Sequence, residues 1–257
     1  MSDARVIRRV GALSIALLGA LLIPYSPLQA QEPHAGSPLH EMAWGRATFV
    51  LAEVLDFVPG EDARPLLYDL LAWSGGSTHR LWLKAEGSLA TVGQESSGEY
   101  QALYGRMISP YWDAQFGARV DLRTAGGTTR SRAGAVVGVQ GVAPGWFELE
   151  PALFVSSEGK AAAEFTASYD LYFTQRLVLQ PRLEAAASLQ DDPDFGTAAG
   201  LTNGSLALRA RWEIRREFAP YVGVLWERQF GGTADLSRAA GDSPGATLLV
   251  VGLRFWR

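Results

Sequence analysis

Residues 113–122 read DAQFGARVDL, where Asp113, Gln115, Gly117, Arg119 and Asp121 alternate with Ala114, Phe116, Ala118, Val120 and Leu122. Successive side chains of a strand leave opposite faces, so a period of two predicts a strand with one charged and one apolar face. In a water-soluble barrel the apolar set fills the interior. In a membrane barrel it faces lipid, and the charged set lines the lumen.

The same alternation recurs. Arg80, Trp82, Lys84 and Glu86 oppose Leu81, Leu83 and Ala85; Glu164, Thr166, Ser168 and Asp170 oppose Phe165, Ala167, Tyr169 and Leu171. Gln180, Arg182 and Glu184 face away from Leu179 and Leu183, and Arg209, Arg211 and Glu213 from Leu208, Ala210, Trp212 and Ile214. A small soluble barrel would pay a large desolvation cost for so many ions in a dry core. A lumen lined by these charges, with an apolar wall toward lipid, avoids it. The signs of Asp113, Arg119, Asp121, Glu164, Asp170, Arg182, Arg209, Arg211 and Glu213 nearly balance, as a plug of cross-strand salt bridges requires, whereas an unbalanced set would leave a selective path through the lumen.

The amino terminus agrees with export. Arg5, Arg8 and Arg9 precede an apolar run over residues 10–24 that leads to Leu28, Gln29 and Ala30, the pattern of a secretory signal peptide cleaved after Ala30. The expected organisation is a signal peptide over 1–30, a short flexible tail over 31–46 and an outer-membrane β-barrel domain over 47–257. The chain has no Cys, so neither disulfides nor thiolate metal sites are available. Its net charge of -4 gives no footprint for nucleic acid. The 8 Trp and 8 Tyr suit membrane interfaces, and the 28 Gly suit turns.

Connection lengths give a second argument, because outer-membrane barrels alternate short periplasmic turns with longer external loops. Short links fall at 109–110, 143–145, 173–175 and 215–217; longer or more polar ones fall at 91–98, 124–130, 156–160, 191–200 and 231–245. From His79 to Trp256 this predicts ten antiparallel strands. Residues 49–57 and 66–73 add a hairpin, with VPGEDAR outside and SGGST as the periplasmic turn, making an up-and-down barrel of twelve. The alternative is ten strands with a periplasmic segment packed against them, since Val50, Leu51, Val54 and Leu55 also fit helical spacing.

Several blocks carry a resemblance: THRLWLKAEG (78–87), SPYWDAQFGARVD (109–121), GVQGVAPGWFELE (138–150), YFTQRLVLQPRLE (172–184) and RREFAPYVGVLWER (215–228), with QDDP near residue 190 and GGTADLSRAAG near 231. Over about Glu53 to Trp256 the chain resembles the copper resistance protein B family. The resemblance implies an outer-membrane barrel that contributes to copper resistance by binding, sequestering or exporting copper ions, beside a periplasmic copper-handling partner. The periodicity predicts the barrel; the resemblance adds the metal.

Two departures bear on mechanism. Many members of the family carry a long Met- and His-rich tail ahead of the barrel, whereas here the tail offers only His34, His40 and Met42 as imidazole and thioether donors suited to copper. These three are the candidate metal ligands. Leu225 is apolar where relatives usually show a polar residue, and the final Arg257 follows the Phe255 and Trp256 that resemble an aromatic barrel-insertion signal.

Elsewhere the residues favour structural roles. His79 reads as a rim residue held to its turn, and Met107 as packing near a strand end. Glu148 and Glu150 project to one side of a strand, within reach for acid–base work, but fit the salt-bridge set better. With only three His in the chain, an outer-membrane hydrolase is not expected. The competing function is a general-diffusion or structural barrel without a metal role.

Overall fold

The computed structural model describes residues 46–59, 65–90, 96–125 and 127–257. Twelve antiparallel strands follow one another: β1 Ala47–Phe57, β2 Pro65–Gly75, β3 His79–Ala90, β4 Ser96–Ser109, β5 Trp112–Ala125, β6 Thr128–Ala143, β7 Phe147–Ser156, β8 Ala161–Ser168, β9 Leu177–Ser188, β10 Gly200–Trp212, β11 Phe218–Gln229 and β12 Gly245–Trp256. After a break at Tyr169 and Asp170, Leu171–Tyr172 continues β8 against β9. Each strand pairs with its sequence neighbours, and β1 pairs with β12, so the sheet closes on itself and, among the described residues, no strand keeps a free edge. Reciprocal bonds between the backbones of Val50 and Arg257, both 2.8 Å, extend that seam.

The two faces are inverted relative to a water-soluble protein. Leu81, Leu83, Phe116, Val137, Leu153, Val222 and Leu249 stand exposed on the outer wall, with Leu249 reaching 68% exposure. Arg119, Arg182, Arg209 and Arg211 are buried inside, at 2–6%. An apolar exterior over an ionic interior suits a wall that meets lipid. No helix among the described residues is long and apolar enough to cross a membrane.

Residues 49–57 and 66–73, which the sequence allowed as either a hairpin or a packed segment, form strands in register with the rest, from Ala47↔Gly75 to Phe57↔Leu66. The register shifts between Ala52 and Val54, and beyond that bulge the Leu55 N–H donates to the Tyr221 hydroxyl at 3.0 Å. The Tyr221 ring lies directly on Gly252, where a Cβ would come within 2.4 Å of it, so only glycine admits the ring there.

Two connections differ from their sequence reading. The loop expected over 124–130 is a tight hairpin, because the β5–β6 ladder runs on to Ala125↔Thr128 and the Thr124 and Thr129 hydroxyls meet at 2.8 Å. Within 231–245 lies a helix, α1 Gly231–Ala240, closed by Gly241 in the left-handed conformation at φ 89°.

The seam also carries an ion pair. Arg209 of β10 donates to Asp56 of β1 at 2.7 Å, and Asp56 is fully buried. Removing one partner leaves the other charged without compensation. Arg209→Met is therefore expected to destabilise the barrel by about 3 kcal/mol, and Arg209→Met/Asp56→Leu to recover much of that, read from urea unfolding in lipid vesicles. On the outer wall, Leu249→Arg is expected to cost about 2–4 kcal/mol in the same assay while Leu249→Val changes little.

Candidate functional site: the lumen and its two rims

Side chains from opposite walls meet in the lumen. Arg182 of β9 reaches Asp69 of β2 at 2.7 Å and its own-strand neighbour Glu184 at 2.6 Å. Those two strands lie five positions apart around a ring of twelve, nearly a diameter. Lys84 of β3 pairs with Glu150 of β7, and Gln180 of β9 donates to Glu53 of β1 at 3.3 Å and to Asp170 at 3.0 Å. Arg119 holds Glu99, Asp121 and Glu164, each at 2.6 Å, and its guanidinium lies 4.6 Å above the Phe154 ring. Arg80 meets Asp113 and Arg211 meets Asp170, both at 2.7 Å, with Glu213 at 3.6 Å from Arg211. Asp113, Arg119, Asp121, Glu164, Asp170, Arg182, Arg209, Arg211 and Glu213 each find an opposite partner there.

Apolar layers, which the sequence reading did not foresee, complete the filling. Trp82, Leu103 and Val136 pack with Leu71, Trp73 and Ala152 toward the short-turn end. Leu225 joins Val58, Ala207 and Val250 in a second cluster, which accounts for an apolar residue at that lumen position. Ion pairs and apolar layers share the lumen. Glu86, though it faces inward, keeps substantial exposure and, among the described residues, takes part in no ion pair.

The end opposite the short turns carries a strap. Between β9 and β10 the chain forms a 3-10 turn, Pro193–Phe195, and lies across toward β6. Asp192, 2% exposed, accepts from Arg132 of β6 at 2.8 Å and from Lys160, in the link between β7 and β8, at 2.9 Å. Arg132 also sits 4.3 Å from the Phe195 ring, and Arg130 pairs with Asp194. Thr233 of α1 accepts from the Ala198 N–H at 2.9 Å, tying strap to helix. The strap escaped the sequence reading because its partners lie about thirty and sixty residues away; the QDDP block was the only trace.

At the short-turn rim, His79 stacks on Tyr104 with its Nδ1 against the hydroxyl, and its carbonyl accepts from the Gly76 N–H at 3.0 Å, as a rim residue held to its turn would. Beside it opens a groove of about 380 Å³ lined by Arg46, Ser74, Arg80 and Tyr104. Glu148 and Glu150 do not converge on a reaction centre, since Glu150 pairs with Lys84 and Glu148 accepts from Ser168 at 3.4 Å. Among the described residues no three His, Asp or Glu side chains are grouped to hold a metal ion. His34, His40 and Met42 lie outside the described residues.

Burial alone would raise the Asp192 carboxyl, but hydrogen bonds from Lys160 and Arg132 outweigh it and hold the group below its ordinary value. A carboxylate with a lowered native pKa stabilises fully above its unfolded pKa and loses that contribution as pH falls through the native value. The strap is therefore expected to keep constant amide protection in hydrogen exchange from pH 8 down to about 4, and to loosen only below that. Asp192→Asn is expected to loosen it by about tenfold in protection already at pH 7.

The family model described as copper resistance protein B precursor (CopB) matches residues 46–257. Copper resistance protein B of Escherichia coli is 38% identical over 221 residues, covering 86% of this chain and 72% of the relative. A copper resistance protein B homolog of Pseudomonas syringae pv. tomato is 38% identical over 223 residues, covering 87% of this chain and 74% of the relative. A solved NanC porin structure aligns with a TM-score of 0.48 at 11% identity, over 81% of this chain and 99% of the porin. With the family model spanning the whole barrel and two relatives at that identity, this chain belongs to the copper resistance protein B family.

Proposed function

We propose that this protein is an outer-membrane barrel of a Gram-negative cell that contributes to copper resistance by binding copper ions at its periplasmic rim and passing them to, or holding them for, a periplasmic copper-handling protein. Membership of the family supports the role in copper resistance. The apolar outer wall supports the location, with a cleaved signal peptide delivering the chain to it. The observation that carries the choice of mechanism is the lumen crossed by Arg182–Asp69 and Lys84–Glu150. A barrel filled in this way does not suit general diffusion, the competing reading.

Copper in this proposal is cargo, and soft donors are needed to select it. The lumen offers carboxylates, most of them engaged by Arg and Lys, and carboxylates are hard ligands that hold copper less selectively than imidazole or thioether. His34, His40 and Met42 supply the imidazole and thioether groups, in a tail that enters the barrel at Ala47, on the same rim as His79. A fully extended chain spans about 3.5 Å per residue, so Met42 and His40 stay within about 25 Å of the start of β1.

Deletion of the protein is expected to lower copper tolerance and wild-type complementation to restore it. His34→Ala/His40→Ala/Met42→Ala is expected to fold and insert normally but to lose copper binding in titrations of the purified protein and to fail in complementation. Full rescue by the triple variant would move the ligands into the barrel. Unchanged tolerance on deletion, with conductance for unrelated solutes in planar bilayers, would favour the diffusion barrel.

A further inference from the structure

Two neighbouring turns at the short-turn rim place three arginines over an aromatic stretch of the outer wall. Residues 173–176 lead into β9 and residues 213–217 leave β10, so the turns lie side by side, and the Glu213 N–H donates to the Arg176 carbonyl at 2.8 Å. Both are held firmly. Thr174 Oγ1 accepts from the Arg176 and Leu177 N–H groups at 3.2 and 2.9 Å. Arg215 and Phe218 exchange backbone bonds, and the Trp256 indole donates to the Arg216 carbonyl at 2.5 Å.

The Arg176, Arg215 and Arg216 side chains are exposed, and among the described residues none of them takes part in an ion pair. This sets them apart from the arginines of the lumen. Just beyond them on the outer wall stand Phe173 at 66% exposure, Trp212 at 49% and Ile214 at 54%, continuous with the apolar Leu208 and Leu206 along β10. Acyl chains would meet that wall, and aromatic rings mark the depth at which chain gives way to headgroup. Three guanidiniums outside any ion pair among the described residues, with exposed Glu217 as the carboxylate of the same turn, present donors matched to phosphate oxygens.

From this geometry we infer a binding site for an anionic phospholipid of the periplasmic leaflet, with its phosphate held by Arg176, Arg215 and Arg216 and its acyl chains lying on Phe173, Trp212 and Ile214. The inference rests on the membrane location proposed above. An acidic soluble protein could meet the arginines but would leave the outward rings uncovered, so the combination favours lipid. The site would tether the barrel to the leaflet on the side where the tail emerges.

The test uses the full chain folded into phosphatidylcholine nanodiscs with and without one-fifth phosphatidylglycerol, followed by native mass spectrometry of retained lipid. Wild type is expected to retain phosphatidylglycerol over phosphatidylcholine by tenfold or more, as about three favourable arginine contacts imply. Arg176→Gln/Arg215→Gln/Arg216→Gln is expected to abolish the preference, and Arg228→Gln/Arg238→Gln at the opposite rim to keep it. Equal retention by the wild type, or an unchanged preference in the triple variant, overturns the site. Binding of a polyglutamate peptide to the wild type without lipid preference overturns it in favour of an acidic protein partner. A chain that never reaches the heat-resistant folded form in either bilayer overturns the membrane reading itself, a different failure from an inserted barrel without lipid preference.

Discussion

An arginine inside a narrow barrel has nowhere to go but to a carboxylate. Water cannot solvate it fully, the apolar wall excludes it from lipid, and the cost of leaving a buried ion unpaired runs to several kcal/mol. The strands of this protein must therefore assemble in a register that delivers Asp69 to Arg182, Asp56 to Arg209 and Glu99, Asp121 and Glu164 to Arg119. A slip of one residue would turn every one of these charges to the outside. The ionic lumen thus fixes register more than it adds net stability, and the apolar clusters around Trp82 and Leu225 occupy the space the ions leave.

Much of this was legible along the chain because strand alternation is a local signal. DAQFGARVDL assigns its charged face before any partner is known, and the same reading placed the charges of β3, β8, β9 and β10 on the lumen side. Pairing across the lumen was not legible, since nothing near Arg182 points to a carboxylate more than a hundred residues earlier. The hairpin at 124–130 was misread because Thr, Gly and Arg look like loop composition, although Thr124 and Thr129 continue the ladder. Helix α1 begins on two glycines after Phe230 and has no side-chain cap, so the usual start signal is missing. Asp192 looked like loop polarity until the fold brought Arg132 and Lys160 to it.

The candidate copper ligands illustrate a different limit. His34, His40 and Met42 follow from the family resemblance and from donor chemistry, and neither depends on the barrel's geometry. Inside the barrel most carboxylates are engaged by arginine and lysine, and carboxylates are hard ligands in any case.

The seam between β1 and β12 joins the two ends of the barrel sequence. Val50 exchanges backbone bonds with Arg257, Leu51 faces Trp256, and Arg209 reaches back to Asp56. Contacts so distant along the chain close large loops and arise late in folding. The strand that closes the barrel sequence thus satisfies the strand that opens it, and without either one its neighbour would keep an open row of backbone donors and acceptors. Closure therefore inspects both ends of the barrel at once, and is passed only when β1 and β12 are both in place.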